Sequence, residues 1–353
     1  MNHFSRREVV GHAGQYATGR SGLQRNTWFL AAGVALAGAA LFVRQRTREA
    51  ERDNPPQGKF VEVDGIRLHY VERGQGQPLV LLHGDGSLIR DFELSGLIDL
   101  AAQKYRVIAF DRPGYGYSER PRTTVWTPQA QAELLHHALH RLGVEKPILV
   151  GHSWGTLVAI ALALQSPDYV KSLVLLSGYY YPTARLDVPL LSPPAIPLIG
   201  DLLRYTISPL IGRMIWPLMK RRIFGPAPVP KRFADNFPVW MTLRPSQLRA
   251  TAADAALMIP AAYSLRHRYR ELKVPVVIMV GDSDMHANMH VHSESLHHEL
   301  PHSTLHVIRG AGHMIHHLAP QEVMQAIEQA AQAASVEVRV PGRPAIPASV
   351  RSG

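Results

Sequence analysis

The sequence contains no cysteine among its 353 residues. This absence excludes a disulfide scaffold, a thiol nucleophile and a thiolate metal site, although it fits any cellular compartment. Zinc-finger, RNP and basic-zipper motifs are also missing, and the basic residues are not interleaved with aromatic ones, so no nucleic-acid partner is expected. With 46% hydrophobic and 19% charged residues the chain can bury a large core, and its length suggests about two structural units.

The net charge of +10 is concentrated in two segments. Residues 1–58 carry eight arginines against four acidic residues, and residues 178–272 carry thirteen lysines and arginines against five acidic residues. The rest of the chain is therefore slightly acidic. This distribution fits either a solvated surface or contact with an anionic membrane, and the N-terminal segment favours the membrane.

Residues 28–43 (WFLAAGVALAGAALFV) form an uncharged apolar run with arginines on both sides. As a helix it would span about 24 Å, slightly less than a hydrocarbon core of about 30 Å. The flanking arginines and Trp28 at one edge favour a single uncleaved membrane anchor. Residues 1–27 then form an N-terminal arm, and residues 44–58 form a linker.

Two alternatives for this run remain open. A cleaved signal peptide could use the Ala35-Leu36-Ala37 site and would make the protein secreted or periplasmic, but the mature chain would then begin on apolar residues up to Val43. A short amphipathic segment is the other alternative. A membrane-associated protein with an N-terminal anchor is the prediction, and the arginine counts slightly favour a cytoplasmic catalytic part.

Beyond the linker, strand patterns alternate with helical ones, and Asp64-Gly65 is typical of a hairpin turn. This alternation predicts an α/β fold, with a mostly parallel eight-stranded sheet flanked by helices and an antiparallel hairpin at its start. Helices are predicted at Pro128–Leu142 and Gln321–Ala334. The predicted strands are Phe60–Val63, Ile66–Val71, Pro78–Leu82, Tyr105–Phe110, Pro147–Val150, Lys171–Leu176, Val274–Val280 and Thr304–Ile308.

Residues 178–270 interrupt this alternation with proline-rich, helical stretches. An insertion of about ninety residues cannot be a plain loop, so it is predicted to form a helical cap over the carboxyl edge of the sheet. The catalytic core would then comprise residues 59–177 and 271–334. Residues 335–353 are rich in proline and arginine and are expected to form a flexible tail.

A G-x-S-x-G motif, Gly151-His152-Ser153-Trp154-Gly155, follows a predicted strand and opens a helical stretch that reaches Leu164. Its glycines permit a turn too tight for side chains, which exposes the Ser153 hydroxyl near a helix N-terminus. The motif alone is common, but the strand before it and the helix after it supply the required context. Ser153 is therefore the candidate nucleophile, and a buried turn serine is the alternative.

A serine nucleophile needs a base that is oriented by a third group. Downstream, the turn Gly281-Asp282-Ser283-Asp284 ends one predicted strand, and the loop Gly310-Ala311-Gly312-His313 ends the next. Both lie at carboxyl ends of strands, where open α/β sheets gather their sites. His313 is the candidate base, and Asp284 and Asp282 are both candidates for the acid.

Together with His83-Gly84 and Asp111–Ser118 (DRPGYGYS), these motifs make residues 60–334 resemble the α/β-hydrolase-fold serine hydrolases. The resemblance implies a catalytic triad in which the acid is the last residue of a G-x-x-D turn. That position favours Asp284 over Asp282 as the partner of His313.

The resemblance also implies an oxyanion hole made of two backbone N–H groups, those of Trp154 and Asp85. Asp85 departs from the pattern, because many relatives have an apolar or small residue after His83-Gly84. Its carboxylate would oppose a developing oxyanion unless the side chain turns away or pairs with a base. A contact with substrate or water is the alternative role.

The implied reaction is acyl transfer by a serine, without a cofactor, on a small to medium apolar substrate. Dehalogenases and epoxide hydrolases of this family attack with a carboxylate, so Ser153 argues against both. Four activities remain open: carboxylesterase or lipase, lactonase, C–C bond hydrolase, and cofactor-free haloperoxidase or perhydrolase. Ester substrates are favoured, because the predicted cap is apolar and basic. A membrane-anchored binding module without catalysis is the non-enzyme alternative. The oligomeric state stays open.

Ten histidines between residues 286 and 317 raise the question of a metal site. No H-E-x-x-H motif is present, and His286 and His290 lack an obvious carboxylate partner. No metal is therefore expected, and the histidines are predicted to lie mainly on the surface or in loops. They are His286, His290, His292, His297, His298, His302, His306, His313, His316 and His317.

Overall fold

The computed structural model describes residues 18–185 and 187–337. Its eight strands form one sheet in the order β1-β2-β4-β3-β5-β6-β7-β8. The β1–β2 and β2–β4 pairs are antiparallel and all other pairs are parallel, so the predicted sheet is confirmed. The strands are β1 Lys59–Val63, β2 Ile66–Arg73, β3 Gln77–Leu82, β4 Tyr105–Phe110, β5 Ile148–His152, β6 Ser172–Leu176, β7 Val276–Gly281 and β8 Ser303–Ile308.

Fourteen α-helices occur in the described residues, with a π-helical turn at His290–Glu294. The helices of the core are α2 Ile89–Ser95, α3 Leu97–Ala101, α4 Pro128–Arg141, α5 Trp154–Gln165, α12 Ser295–Glu299, α13 Ile315–Leu318 and α14 Pro320–Glu337. Between β6 and β7 lie α6 Asp187–Leu191, α7 Ile199–Tyr205, α8 Ser208–Phe224, α9 Lys231–Asn236, α10 Val239–Thr242 and α11 Pro245–Leu265. The N-terminal helix is α1 Thr18–Asp53.

The sheet is covered by helices on both faces. Val80 and Leu82 pack in one apolar cluster with α4 and α5. Leu79 and Leu81 point to the opposite face and pack with α2, α3 and α14. Because successive side chains of a strand alternate between faces, a continuous apolar run such as β3 is what a strand buried on both sides requires.

The segment predicted as a cap contains helices and no strand in its described part. Helix α11 contacts α5, and α8 ends beside the loop that carries His313. The backbone N–H of His313 donates to the carbonyl of Ile223, near the end of α8, at 2.9 Å. The inserted helices therefore lie against the part of the core where the site was predicted.

Helix α1 extends beyond the predicted apolar run and includes part of the predicted linker, up to Asp53. The extra turns are stabilised by the Arg46–Glu49 ion pair, and Phe42, just before them, packs against Trp240 of α10. Arg46 also lies over the Trp240 ring, at 5.3 Å from its centroid. The linker is thus shorter than predicted and begins at Asn54. The predicted arm lies outside the described residues except for its last helical turns, and so does the predicted tail beyond residue 337.

Within the described residues, one helical stretch, Thr27–Asp53, is long and apolar enough to cross a membrane. A signal sequence near an N-terminus meets the same criterion, so both readings of this segment stay open. Trp28, Phe29 and Val34 are exposed, which leaves their apolar surface without a protein partner in the described part of the chain.

Candidate active site

Ser153 stands on a sharp turn between β5 and α5. Its φ of 52° and ψ of −119° are strained for a residue with a side chain. A Cβ at Gly155 would lie 2.2 Å from the carbonyl oxygen of Leu82, and one at Gly151 would lie 2.6 Å from the carbonyl oxygen of Gly155. The two glycines of the motif are therefore required by close backbone contacts, and the serine between them remains partly exposed.

Asp284 and His313 form a buried pair, with 2.8 Å between Oδ2 and Nδ1. The other oxygen of Asp284 accepts hydrogen bonds from the backbone N–H groups of His286 and Ala287, at 2.8 and 3.0 Å. Burial by itself would raise the pKa of Asp284, but the charge and hydrogen bond of His313, together with the two N–H donors, lower it to about 2. An ionised Asp284 holds the proton of His313 on Nδ1 and leaves Nε2 free to act as a base.

The alternative acid, Asp282, does not contact a histidine in the described part of the chain. One of its oxygens accepts hydrogen bonds from the hydroxyl of Ser283 and the N–H of Gly310, both at 2.9 Å, and the residue is exposed. Asp282 thus fixes the turn that precedes the His313 loop. The geometry favours Asp284 as the partner of the imidazole.

The loop that carries His313 is tied to the serine turn by His152. The Nε2 of His152 donates to the backbone carbonyl of His313 at 3.0 Å, and the centroids of the two rings are 4.9 Å apart. Among the described residues, the Ser153 hydroxyl has no hydrogen-bond partner. Ser153 and His313 are therefore not hydrogen-bonded in this structure, and catalytic hydrogen bonds often tighten only when substrate binds.

The loop after β3 approaches the serine closely. A Cβ at Gly84 would lie 3.0 Å from the Cβ of Ser153. In the described part of the chain, the backbone N–H groups of Asp85 and Trp154, the two predicted oxyanion donors, have no acceptor. Unpaired N–H groups beside a nucleophile are what stabilisation of an oxyanion requires.

The Asp85 side chain is held by neighbouring donors. Its Oδ1 accepts hydrogen bonds from the Tyr115 hydroxyl at 2.6 Å and from the Gly86 N–H at 2.8 Å. Burial, and secondly the negative charge of Asp254, raise the pKa of Asp85 to about 6. These contacts favour the prediction that the Asp85 side chain turns away from the developing oxyanion.

Sequence reasoning missed Asp254, a fully buried carboxylate on α11. It accepts hydrogen bonds from Arg112 at 2.7 Å, Arg120 at 2.8 Å and the Tyr115 hydroxyl at 2.9 Å. Arg112 in turn donates to the carbonyl oxygens that precede Asp85, those of His83 at 2.8 Å and Gly84 at 3.1 Å. A lone acidic residue in an alanine-rich helix was the available clue, because a buried carboxylate needs a cationic partner.

Asp111 organises the loop that begins with it. Its oxygens accept hydrogen bonds from the backbone N–H groups of Ile89 at 2.9 Å and Tyr117 at 3.1 Å, and from His69 at 2.6 Å. A Cβ at Gly116 would collide with this carboxylate, which explains the second glycine of the DRPGYGYS segment. Asp111 therefore shapes the loop and does not face the serine.

Asp91, His152 and His316 are the one group of described residues whose atoms lie close enough together to be considered as metal ligands, within 4.8 Å of one another. The carboxylate of Asp91 already accepts hydrogen bonds from Ser87 at 2.9 Å, His316 at 3.2 Å and His317 at 2.7 Å. Asp91 is therefore the centre of a hydrogen-bond network, and the His316 ring of this network packs against His152, the residue before Ser153.

The prediction that the histidines lie mainly on the surface or in loops is wrong for His292 and His316, which are buried and lie in helical turns. Each has a polar partner that compensates its burial. His316 contacts Asp91, and the Nδ1 of His292 accepts the N–H groups of Tyr180 and Tyr181 at 3.3 Å. Burial lowers the pKa of both rings, that of His292 to about 4.

Replacing Asp85 with Asn is expected to stabilise the protein at alkaline pH. The amide oxygen of Asn can accept the same two hydrogen bonds without the charge that opposes Asp254. Because the pKa of Asp85 is raised from 3.8 to about 6 on folding, its ionisation removes stability as the pH rises through this range. The gain in the free energy of unfolding should be near zero at about pH 4 and on the order of 2 kcal/mol above about pH 7.

Urea unfolding of the parent protein and Asp85→Asn across this pH range measures that difference. A gain that is the same at acidic and alkaline pH would show that Asp85 does not titrate as inferred.

Comparison with known proteins places this architecture among the hydrolases. A family model described as alpha/beta hydrolase fold matches residues 77–320. The chain is 28% identical over 307 residues to Epoxide hydrolase 3 of Siraitia grosvenorii, covering 74% of this chain and 94% of that protein. It is 35% identical over 143 residues to 2-hydroxymuconate semialdehyde hydrolase of Pseudomonas sp. strain CF600, covering 39% of this chain and 50% of that protein.

Among solved structures, a membrane phospholipase A described as a bacterial virulence factor has a TM-score of 0.61 and 22% identity to this chain. The match covers 90% of this chain and 99% of that one. At this identity the likeness concerns the fold.

Proposed function

Because the chain belongs to the alpha/beta hydrolase fold family and is a hydrolase, we propose that it is a serine hydrolase that cleaves an ester or related acyl bond through an acyl-enzyme intermediate. The observation that carries this proposal is the buried Asp284–His313 pair, whose loop is hydrogen-bonded to His152 beside Ser153. Ser153 itself stands on a strained turn and is partly exposed, as a nucleophile has to be.

In the proposed cycle, Nε2 of His313 takes the hydroxyl proton while Oγ of Ser153 bonds to the acyl carbon. The negative charge that develops on the acyl oxygen is stabilised by the N–H groups of Asp85 and Trp154, each worth about 3 kcal/mol in comparable sites. His313 then gives its proton to the departing alcohol as the ester bond breaks. Water, deprotonated by the same nitrogen, attacks the acyl-enzyme and releases the acid and Ser153.

The nucleophile separates this proposal from other activities of the family. Epoxide hydrolases and dehalogenases of the fold attack with a carboxylate, whereas this chain has Ser153 at that position. Lactonase, C–C bond hydrolase and haloperoxidase activities use a serine and are the alternatives. An ester of an amphiphilic acyl compound is favoured, because the inserted helices expose apolar and basic side chains next to the His313 loop.

We further propose that the protein is membrane-associated through α1. Its apolar residues 28–43 are flanked by arginines, and the exposure of Trp28 and Val34 supports a lipid environment for its N-terminal half. The alternative, removal of this segment as a signal sequence, would separate the apolar helix from the turns that pack on α10.

Labelling with a fluorophosphonate probe and hydrolysis of p-nitrophenyl esters of increasing chain length test the proposed activity. The parent chain should be labelled and should cleave short- or medium-chain esters, and Ser153→Ala should lose both properties. Lactones and vinylogous diketones in the same panel distinguish the alternatives, since only the preferred bond type gives the highest kcat/KM. An unlabelled parent chain would instead support a non-catalytic binding module.

A further inference from the structure

Helix α8 presents an apolar stripe to solvent. Ile211, Met214 and Leu218 recur at spacings of three and four residues, which places them on one side of the helix. Met214 is 73% exposed and Leu218 is 71% exposed. Such a stripe normally packs against a protein core, so its exposure to solvent indicates a contact with another protein or with a membrane.

The preceding helix adds to this surface. Leu198, just before α7, and Ile199 and Leu202 within it are also exposed, and α7 contacts α8. We call these six side chains the cap face; they are Leu198, Ile199, Leu202, Ile211, Met214 and Leu218.

The charges on α8, which supplies half of the cap face, are all basic. Helix α8 contains no acidic residue, and Arg213, Arg221 and Arg222 on it are exposed. Within the described residues, none of these three arginines forms an ion pair. Arg221 and Arg222 follow the apolar stripe at the end of α8, whereas Arg213 lies on another side of the helix. An apolar stripe next to unpaired arginines is typical of helices that lie in the interface of an anionic bilayer.

The position of α1 relates this face to a membrane. Its Trp28–Val34 stretch projects from the protein, whereas Val43, at the end of the apolar run, is 1% exposed, and α1 contacts α7 and α10. The apolar run therefore ends where α1 meets the cap helices. If this run is in a bilayer, as proposed above, the cap helices lie at the level of the headgroups.

We propose that the cap face is a second membrane-contact site, which docks on an anionic phospholipid bilayer beside the anchor helix. This inference rests on the proposed anchor and adds a surface that the anchor alone does not require. Because the N–H of His313 donates to the carbonyl of Ile223 in α8, the docked helix ends on the loop of the proposed base. A bilayer-borne acyl ester would thus meet the site next to the surface on which the protein rests.

The absence of cysteine makes the full chain suitable for single-cysteine labelling. An environment-sensitive fluorophore is attached to Met214→Cys or Leu218→Cys, with Val34→Cys on the anchor and Glu133→Cys on the exposed side of α4 as references. Each labelled chain is reconstituted into vesicles of equal parts phosphatidylcholine and phosphatidylglycerol. Labels at Met214 and Leu218 should show blue-shifted emission and quenching by doxyl lipids, as at Val34, while the Glu133 label should be quenched by aqueous iodide only.

Three outcomes would overturn the cap-face proposal. If iodide quenches the cap labels while Val34 is quenched by lipid, the anchor stands and the second contact does not. Cap labels shielded from both quenchers would indicate a second copy of the chain on this face. A Val34 label accessible to iodide would remove the anchor itself. The proposed hydrolase activity is scored separately with soluble esters, and Ser153→Ala carrying the same labels should give the same quenching.

Discussion

Replacing Asp284 with Asn is expected to lower kcat for ester hydrolysis by about 10⁴-fold with a much smaller change in KM. The amide oxygen can still accept the N–H groups of His286 and Ala287, so the turn should remain intact. Its NH₂ group would face Nδ1 of His313 in place of the carboxylate, which favours the tautomer with the proton on Nε2. The imidazole could then no longer accept the Ser153 proton.

Asp282→Asn is the matched control, because it removes a carboxylate two residues away in the same turn. Asp282 contacts Ser283 and Gly310 and no histidine in the described chain, so kcat should change less than about tenfold, in line with an exposed surface group. Steady-state kinetics and the melting temperature of both variants measure the effect. A large loss of kcat in the folded Asp282→Asn variant, with activity retained in Asp284→Asn, would reverse the assignment of the acid.

Much of the fold was predictable because local sequence and tertiary structure agree in the sheet. Strands buried on both faces must be apolar runs, and the runs of β3 and β5 are short enough to favour strands over helices. The turn that carries Ser153 was predictable for a related reason. Close backbone contacts at Gly151 and Gly155 leave glycine as the residue that fits, so the turn is encoded in its own sequence.

Contacts made through the inserted helices were not predictable, because nothing local encodes their partners. Arg112 and Asp254 are 142 residues apart in the chain, and their ion pair depends on how α11 packs over the core. The extent of α1 was underestimated for the same reason, since Arg46 in its last turns contacts Trp240, far along the chain. The burial of His316 likewise depends on a partner far along the chain, Asp91.

Replacing Asp254 with Ala is expected to lower the free energy of unfolding by about 3–5 kcal/mol, because Arg112 and Arg120 would remain buried without a counter-charge. Burial alone would raise the pKa of Asp254, but the two guanidinium groups lower it, so the carboxylate is ionised and paired at neutral pH. The variant should also lose kcat, since Arg112 fixes the carbonyls of His83 and Gly84 just before the proposed oxyanion donor.

Arg122→Ala provides the comparison for this effect, because it breaks the exposed ion pair with Asp201 on α7. Exposed pairs are worth about 1 kcal/mol or less, so the free energy of unfolding and kcat should stay close to those of the parent chain. Asp254→Asn keeps the shape of the side chain and should fall between the parent chain and Asp254→Ala in stability. If Asp254→Ala unfolds at the same denaturant concentration as Arg122→Ala, the buried arginines must have another source of compensation. Asp254 on α11 would then no longer explain how the inserted helices position the loop that carries the proposed oxyanion donor Asp85.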